Sequence, residues 1–255
     1  MLVSDDFLDA PRGGLFVQVL DSAPVVAMAQ AAGFDFLFFD GEHGDLDWSS
    51  LSSLMTYASS VGIPSLVRVS QLGRRDVSHA LDMGAAGVMV PMVETADQAR
   101  LLVQWAKYPP LGRRSYSGGA HTSYGPSGNH ATNMAAANGG TLAIVQIETV
   151  RGVQNIGEIL DVEGVDAAIV GPADLAISMG RPDEVGCKEE LALIDEVRDA
   201  CVARGVAFGI IGGASLVHRY ARDITFMVSA IDTHVLRDAF AREVASYKEV
   251  ADDVR

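Results

Sequence analysis

The feature that most constrains this chain is a repeated alternation of two kinds of segment. Eight short runs rich in β-branched and aromatic residues recur at 15–20, 36–40, 65–69, 87–92, 142–148, 167–171, 207–211 and 226–230. Most are apolar almost end to end, the pattern of parallel strands buried on both faces. Amphipathic or Ala-rich stretches, for example 48–60, 95–106, 189–204 and 235–252, lie between and after them. Eight strand–helix units in 255 residues predict one α/β domain, residues 1–255, closed as a (β/α)8 TIM barrel. A doubly wound open sheet is the second choice. No Pro/Ser-rich linker divides the chain, and 49% hydrophobic residues can fill one core.

The alternation is interrupted once, by the connection 108–140, which is rich in Gly and Ser between Ser117 and Gly128. An insertion of this length is a substrate lid or a plain surface loop. His121 and His130 fall inside it and read as solvated loop histidines.

Charge and cysteine content narrow the function classes. A net charge of −14 disfavours nucleic-acid and anionic-membrane surfaces, which need clustered Lys and Arg. Cys187 and Cys201 match no metal or redox spacing and suit a reducing compartment. Residues 1–6 lack the basic and apolar regions of a signal peptide, and no apolar run approaches the roughly 18 residues of a membrane span. The expectation is a cytoplasmic protein. No Walker loop, GxGxxG, CxxC or GxSxG motif is present, so no nucleotide cofactor is expected.

In a barrel the site is built at the carboxyl ends of the strands. The second run ends Asp40-Gly41-Glu42-His43-Gly44, two carboxylates and an imidazole within four residues. Arg68 lies inside the apolar third run, where a guanidinium needs an anionic partner or a wet cavity. The fifth run ends Gln146-Ile147-Glu148, which puts Gln146 and Glu148 on one strand face. The sixth is followed by Pro172-Ala173-Asp174. Taken singly, Glu148 also suits a salt-bridged strand end, and Asp174 the first turn of a helix that opens at Pro172. Together, two carboxylates on neighbouring strand ends suit a hard divalent cation, Mg²⁺ or Mn²⁺, completed by water and a chelating substrate. An arginine beside it would bind a carboxylate or a developing oxyanion. Metal, arginine and imidazole point to enolate chemistry next to a carbonyl.

The lysines decide between two forms of that chemistry. Lys107, Lys188 and Lys248 all read as helical or helix-flanking, and none ends a strand, so no Schiff-base lysine is expected. His79, His218 and His234 read as surface or capping residues. Gly212-Gly213 after the seventh run is a weak phosphate-cradle signal.

These residues lie in motifs that resemble one family. Segments 34–43 (Phe-Asp-Phe-Leu-Phe-Phe-Asp-Gly-Glu-His), 81–85, 90–94, 108–110, 145–149, 164–166 and 170–175, in this order and spacing, are similar to the HpcH/HpaI family of metal-dependent 2-oxo-acid aldolases. The resemblance implies a TIM barrel assembled as a homohexamer, a trimer of dimers that swap their last helix. It implies a class II aldehyde-lyase that uses Mg²⁺, Mn²⁺ or Co²⁺ to cleave a 4-hydroxy-2-oxo acid into pyruvate and an aldehyde. By the same resemblance Glu148 and Asp174 are the metal ligands, and Arg68 contacts the pyruvyl part. His43 is the catalytic imidazole with Asp40 nearby, and Asp82 reaches it from the neighbouring subunit. Gln146 and the backbone around Ala173 touch substrate. The chain departs from the pattern at Leu15-Phe16-Val17, which lacks a tryptophan, after Arg114, after Gly180, and at Gly212-Gly213. These are places where substrate is selected. The rival expectations are a decarboxylase or another carbon–carbon bond-forming enzyme, a CoA-ester lyase, and a non-catalytic metabolite-binding barrel.

Overall fold

The computed structural model describes residues 2–4, 6–125 and 128–253. Met1, Asp5, Pro126 and Ser127 from the segments discussed above lie outside the described residues, as does the side chain of His121. Eight parallel strands pair in chain order and close on themselves. They are β1 (Arg12–Val17), β2 (Phe36–Asp40), β3 (Ser65–Arg68), β4 (Gly87–Val90), β5 (Leu142–Ile147), β6 (Ala167–Val170), β7 (Ala207–Ile211) and β8 (Ile224–Ile231). Eleven α-helices occur among the described residues. They are α1 (Pro24–Ala32), α2 (Trp48–Ser60), α3 (Arg74–Asp82), α4 (Ala96–Ala106), α5 (His130–Gly140), α6 (Val150–Gln154), α7 (Ile156–Leu160), α8 (Pro172–Ser178), α9 (Lys188–Arg204), α10 (Ala214–Arg219) and α11 (Asp232–Asp253).

The strands are apolar on both faces because each face meets a different core. Leu37, Phe39, Val67, Val88, Val145 and Val170 face outward and pack under the helices. Phe16, Phe36, Phe38, Leu66, Met89, Ile144, Ile169 and Phe226 fill the barrel. The inner rings pack edge-on, Phe36 against Phe226 with centroids 5.6 Å apart, and Phe7 from the N-terminal segment closes the amino end at 6.1 Å from both. Each such ring contributes about 1.5–3 kcal/mol of burial, so Phe38→Ala would open a cavity costing roughly 3–5 kcal/mol.

Helix starts are set by local chemistry. Asp47 caps α2 by accepting from the Ser50 N–H, and Thr95 with Gln98 forms a capping box at α4. Pro172 opens α8, where its missing N–H costs no hydrogen bond.

Two features differ from a plain barrel. The connection 108–140 is not one loop: a 3-10 turn at Ala120–Thr122 and helix α5 occupy much of it. His130 is the first residue of α5, and its ring meets Tyr116 edge-on at 4.8 Å. The other feature is α11, which leaves Val235, Phe240, Val244, Tyr247 and Val250 49–67% exposed. Beside its first turn an apolar groove of about 230 Å³ runs along Leu15, Val25, Met28, Ala29 and Phe34.

Candidate active site

The inner face of the barrel changes from apolar to polar at its carboxyl end. Continuing each inward register by two residues leads from Phe16 to Gln18, Phe38 to Asp40, Leu66 to Arg68, and Ile144 to Gln146 and then Glu148. Strand pairing sets Asp40 directly beside Arg68. Arg68 therefore donates from Nε to Asp40 Oδ1 at 2.8 Å and from Nη2 to Oδ2 at 2.7 Å. Its Nη1 lies 3.1 Å from Glu42 Oε2, and its guanidinium lies 5.0 Å from the centroid of Phe16. Burial opposes the charges of Asp40 and Arg68, but their mutual hydrogen bonds outweigh it. The Asp40 carboxyl is held below its ordinary value and the Arg68 guanidinium above its own.

The turn carrying Glu42 and His43 folds back on Asp40, whose Oδ1 accepts from the Glu42 N–H at 3.0 Å. Gly44 is required there, since a Cβ would sit 2.4 Å from the Asp40 carbonyl oxygen and 2.7 Å from that of Gln18. Glu42 is desolvated, which raises its carboxyl despite Arg68. His43 stands at the rim with its side chain 64% exposed and Nε2 3.9 Å from Glu42.

Across the mouth, buried Glu148 accepts the Met92 N–H at 2.8 Å and a hydrogen bond from Gln146 Nε2. Met92 adopts φ 56°, a strained value for a side chain of its size, and this aims its N–H at the carboxylate. Desolvation, with the charges of Asp174 and Glu42, pushes the Glu148 carboxyl up to about 7. Asp174 sits in the first turn of α8 and is solvent-exposed. Gly171 keeps the floor open, because a Cβ there would lie 2.6 Å from Glu148 Oε2. Gln146 Oε1 is buried without a hydrogen-bond partner.

Four carboxylates, Asp40, Glu42, Glu148 and Asp174, thus act on one another around one guanidinium. The excess of negative charge and the raised Glu148 fit a cation held by Glu148 and Asp174. Among the described residues no group of three or more His, Cys, Asp or Glu could hold a metal ion, so water and substrate would complete the shell. Next to Ala173 a cavity of about 510 Å³ extends along Ile211, Gly212, Gly213, Leu216, Ser229 and His234.

Of the residues picked out from sequence, the structure brings together Asp40, Arg68, Gln146, Glu148 and Asp174, with His43 at the rim and Ala173 opening the side cavity. Asp82 is elsewhere. It ends α3, whose direction carries it toward the barrel's amino end, and it accepts from Arg114 Nη2 at 2.7 Å in its own chain. Lys107 is buried but bonded to Asp166 at 2.8 Å, ahead of β6, while Lys188 and Lys248 lie on α9 and α11. Sequence reasoning missed Gln18, whose Nε2 donates to Asp40 Oδ2 at 2.9 Å. The inward parity of β1 was the signal for it.

The model of the HpcH/HpaI aldolase/citrate lyase family matches residues 12–239. The chain belongs to that family. It is 33% identical over 235 residues to a 2-keto-3-deoxy-L-rhamnonate aldolase of Escherichia coli O6:K15:H31, covering 89% of this chain and 85% of the relative. An HpcH/HpaI aldolase from Desulfitobacterium hafniense DCB-2 superposes with a TM-score of 0.93 at 30% identity, 98% of each chain being covered. The citrate synthase SbnG superposes with a TM-score of 0.89 at 25% identity, over 99% of this chain and all of the other. As a member of the HpcH/HpaI family with aldolase relatives over most of its length, the chain is an enzyme of the aldolase type. No described helix is long and apolar enough to cross a membrane.

Proposed function

We propose that the chain is a class II aldolase of the pyruvate type, which cleaves or forms 4-hydroxy-2-oxo acids through the enolate of pyruvate. The observation that carries this reading is the buried Arg68, clamped by Asp40 and Glu42 and facing Glu148, which in turn neighbours Asp174, at the carboxyl end of the barrel. A fixed guanidinium beside an excess of carboxylates suits an anionic substrate bound together with a divalent cation.

Glu148 and Asp174 would hold Mg²⁺, Mn²⁺ or Co²⁺, with Gln146 fixing the Glu148 carboxylate. When bound, such a cation supplies Lewis acidity at the keto group. Arg68 binds the substrate carboxylate and keeps its charge as negative charge moves onto the enolate oxygen. His43 takes the proton of the 4-hydroxyl, directly or through a water; the C3–C4 bond then breaks and its electron pair enters the enolate. The leaving aldehyde departs into the cavity beside Ala173 and Gly212. Proton return to C3 gives pyruvate.

The exposed apolar stripe of α11 and the groove at its base favour assembly by exchange of α11, as a hexamer of three dimers. In that assembly Asp82 of one copy would approach His43 of the next, and Arg114 would orient it. The reading places the protein in the cytoplasm. The likeness to SbnG favours one second reading, in which the same enolate is joined to another carbonyl compound.

The test is a panel of 4-hydroxy-2-oxo acids assayed for pyruvate release with each divalent ion. Metal-dependent release from at least one of them is expected. Release that persists in excess chelator, or no turnover of any member with any ion, would defeat the proposal.

A further inference from the structure

Asp40 is the hub of the site, and its hydrogen bonds can be counted. Oδ1 accepts from Arg68 Nε at 2.8 Å, the Glu42 N–H at 3.0 Å and, more weakly, the His43 N–H at 3.4 Å; Oδ2 accepts from Arg68 Nη2 at 2.7 Å and Gln18 Nε2 at 2.9 Å. A carboxylate has about four lone-pair directions, so Asp40 is saturated and its plane is fixed. Among the described residues Gln18 supplies the one side-chain donor to Asp40 besides arginine.

Gln18 is itself held on every side. Its N–H donates to Asp232 Oδ1 at 3.0 Å, and its carbonyl accepts from the Asp45 N–H at 2.9 Å. Its Oε1 accepts from Thr233 Oγ1 at 3.2 Å, which agrees with the amide orientation that an acceptor-only carboxylate imposes at Nε2. Buried Asp232 also accepts from the N–H groups of Val19 and Leu20, both at 3.0 Å. Asp232 and Thr233 begin α11. A continuous path of hydrogen bonds therefore runs from the first turn of α11 through Gln18 and Asp40 to Arg68.

We propose that Gln18 is a positioning residue for the aldolase reaction: it locks Asp40 so that Arg68 keeps its remaining N–H groups aimed at the 2-oxo acid, and it ties that lock to the seating of α11. Gln18 does not touch substrate. The inference rests on the reading of Arg68 as the group that binds the substrate carboxylate.

The experiment measures exchange of pyruvate methyl protons with deuterium by NMR, at saturating Mn²⁺ and from mildly acidic to mildly alkaline pH. Gln18→Met keeps the length and removes the donor. It should raise KM for pyruvate about tenfold at every pH, with kcat changed less, in line with loss of one hydrogen bond to a charged group. Gln18→Glu sets a second carboxyl against Asp40, and two such groups share one proton. While that proton is held it replaces the amide donor, so Gln18→Glu should approach wild type in acid, and its KM should rise above wild type as pH rises. Recovery in acid also shows that the variant is folded. Thr233→Val should raise KM about threefold and add little to Gln18→Met, since both act through one contact. If Gln18→Met stays within about twofold of wild type while Arg68→Ala raises KM strongly, the positioning role is overturned and the site stands. A Gln18→Glu effect that is the same at all pH values also overturns it. If Arg68→Ala leaves KM unchanged, the reading of the site itself fails.

Discussion

Replacing Arg68 by Met asks what holds the barrel mouth together. The Arg68 side chain is 8% exposed and that of Asp40 is 0% exposed, and two hydrogen bonds of 2.7–2.8 Å join them. Removing one member of such a pair leaves an uncompensated buried charge, which costs roughly 3–5 kcal/mol. The methionine replaces part of the stem's contact with Phe16, so the loss is chiefly electrostatic. In the wild type the Asp40 carboxyl is held below its ordinary value. It therefore contributes stability that is present above the ordinary carboxylate range and lost as pH falls through the lowered value. In Arg68→Met the hydrogen bonds from Gln18 and the Glu42 N–H remain, but burial, the largest influence on this carboxyl, then outweighs them and the same carboxyl rises. Its penalty is then full at neutral pH and fades as pH falls through the raised value. Denaturant unfolding followed by circular dichroism should show the variant destabilised at neutral pH, with the gap narrowing on acidification. Adding Asp40→Asn should recover a large part of the loss. A gap that is the same at all pH values, or no rescue by Asp40→Asn, would refute the argument.

Other perturbations test other parts of the account. Because burial and nearby carboxylates push Glu148 to about 7, divalent-ion affinity should weaken as pH falls below that value. Glu148→Gln should abolish ion binding in titration calorimetry, and unchanged affinity would remove Glu148 from the ligand set. Burial pushes the Cys201 thiol up to about 12, so a thiol reagent should modify Cys187 in the folded protein and reach Cys201 only after unfolding. If α11 packs on a neighbouring barrel, Phe240→Glu with Tyr247→Glu should reduce the mass seen by light scattering. A wild-type monomer would contradict the swapped assembly.

The barrel was legible because its inner and outer cores both demand apolar strands, and the runs at 36–40 and 207–211 coincide with β2 and β7. The candidate site was legible where a charge interrupts such a run, as at Asp40, Arg68 and Glu148, which the barrel brings to one mouth. Gln18 was missed because an uncharged amide at a strand end carries no burial penalty to draw notice, and only the inward parity of β1 marks it. Helix α5 was hidden because Gly139 and Gly140 end it and a Gly/Ser-rich stretch precedes it. Its signals were Asn129, whose side chain caps the helix at the Thr132 N–H, and the Ala run after Met134. Asp82 shows the limit of one chain: its sequence motif points to the site, whereas its position on α3 and its bond to Arg114 set it apart from His43 of the same copy.

The central claim is that Glu148, Asp174 and Arg68 together generate the enolate of pyruvate without a Schiff base. Deuterium incorporation into the methyl group of pyruvate isolates that step from any aldehyde chemistry. Exchange should require a divalent ion, stop in excess chelator, return with Mg²⁺, Mn²⁺ or Co²⁺, and fall sharply in Arg68→Ala. Borohydride added during exchange should trap no pyruvate on the protein. Exchange that continues in chelator, or a borohydride-stable adduct on any lysine, would contradict the account.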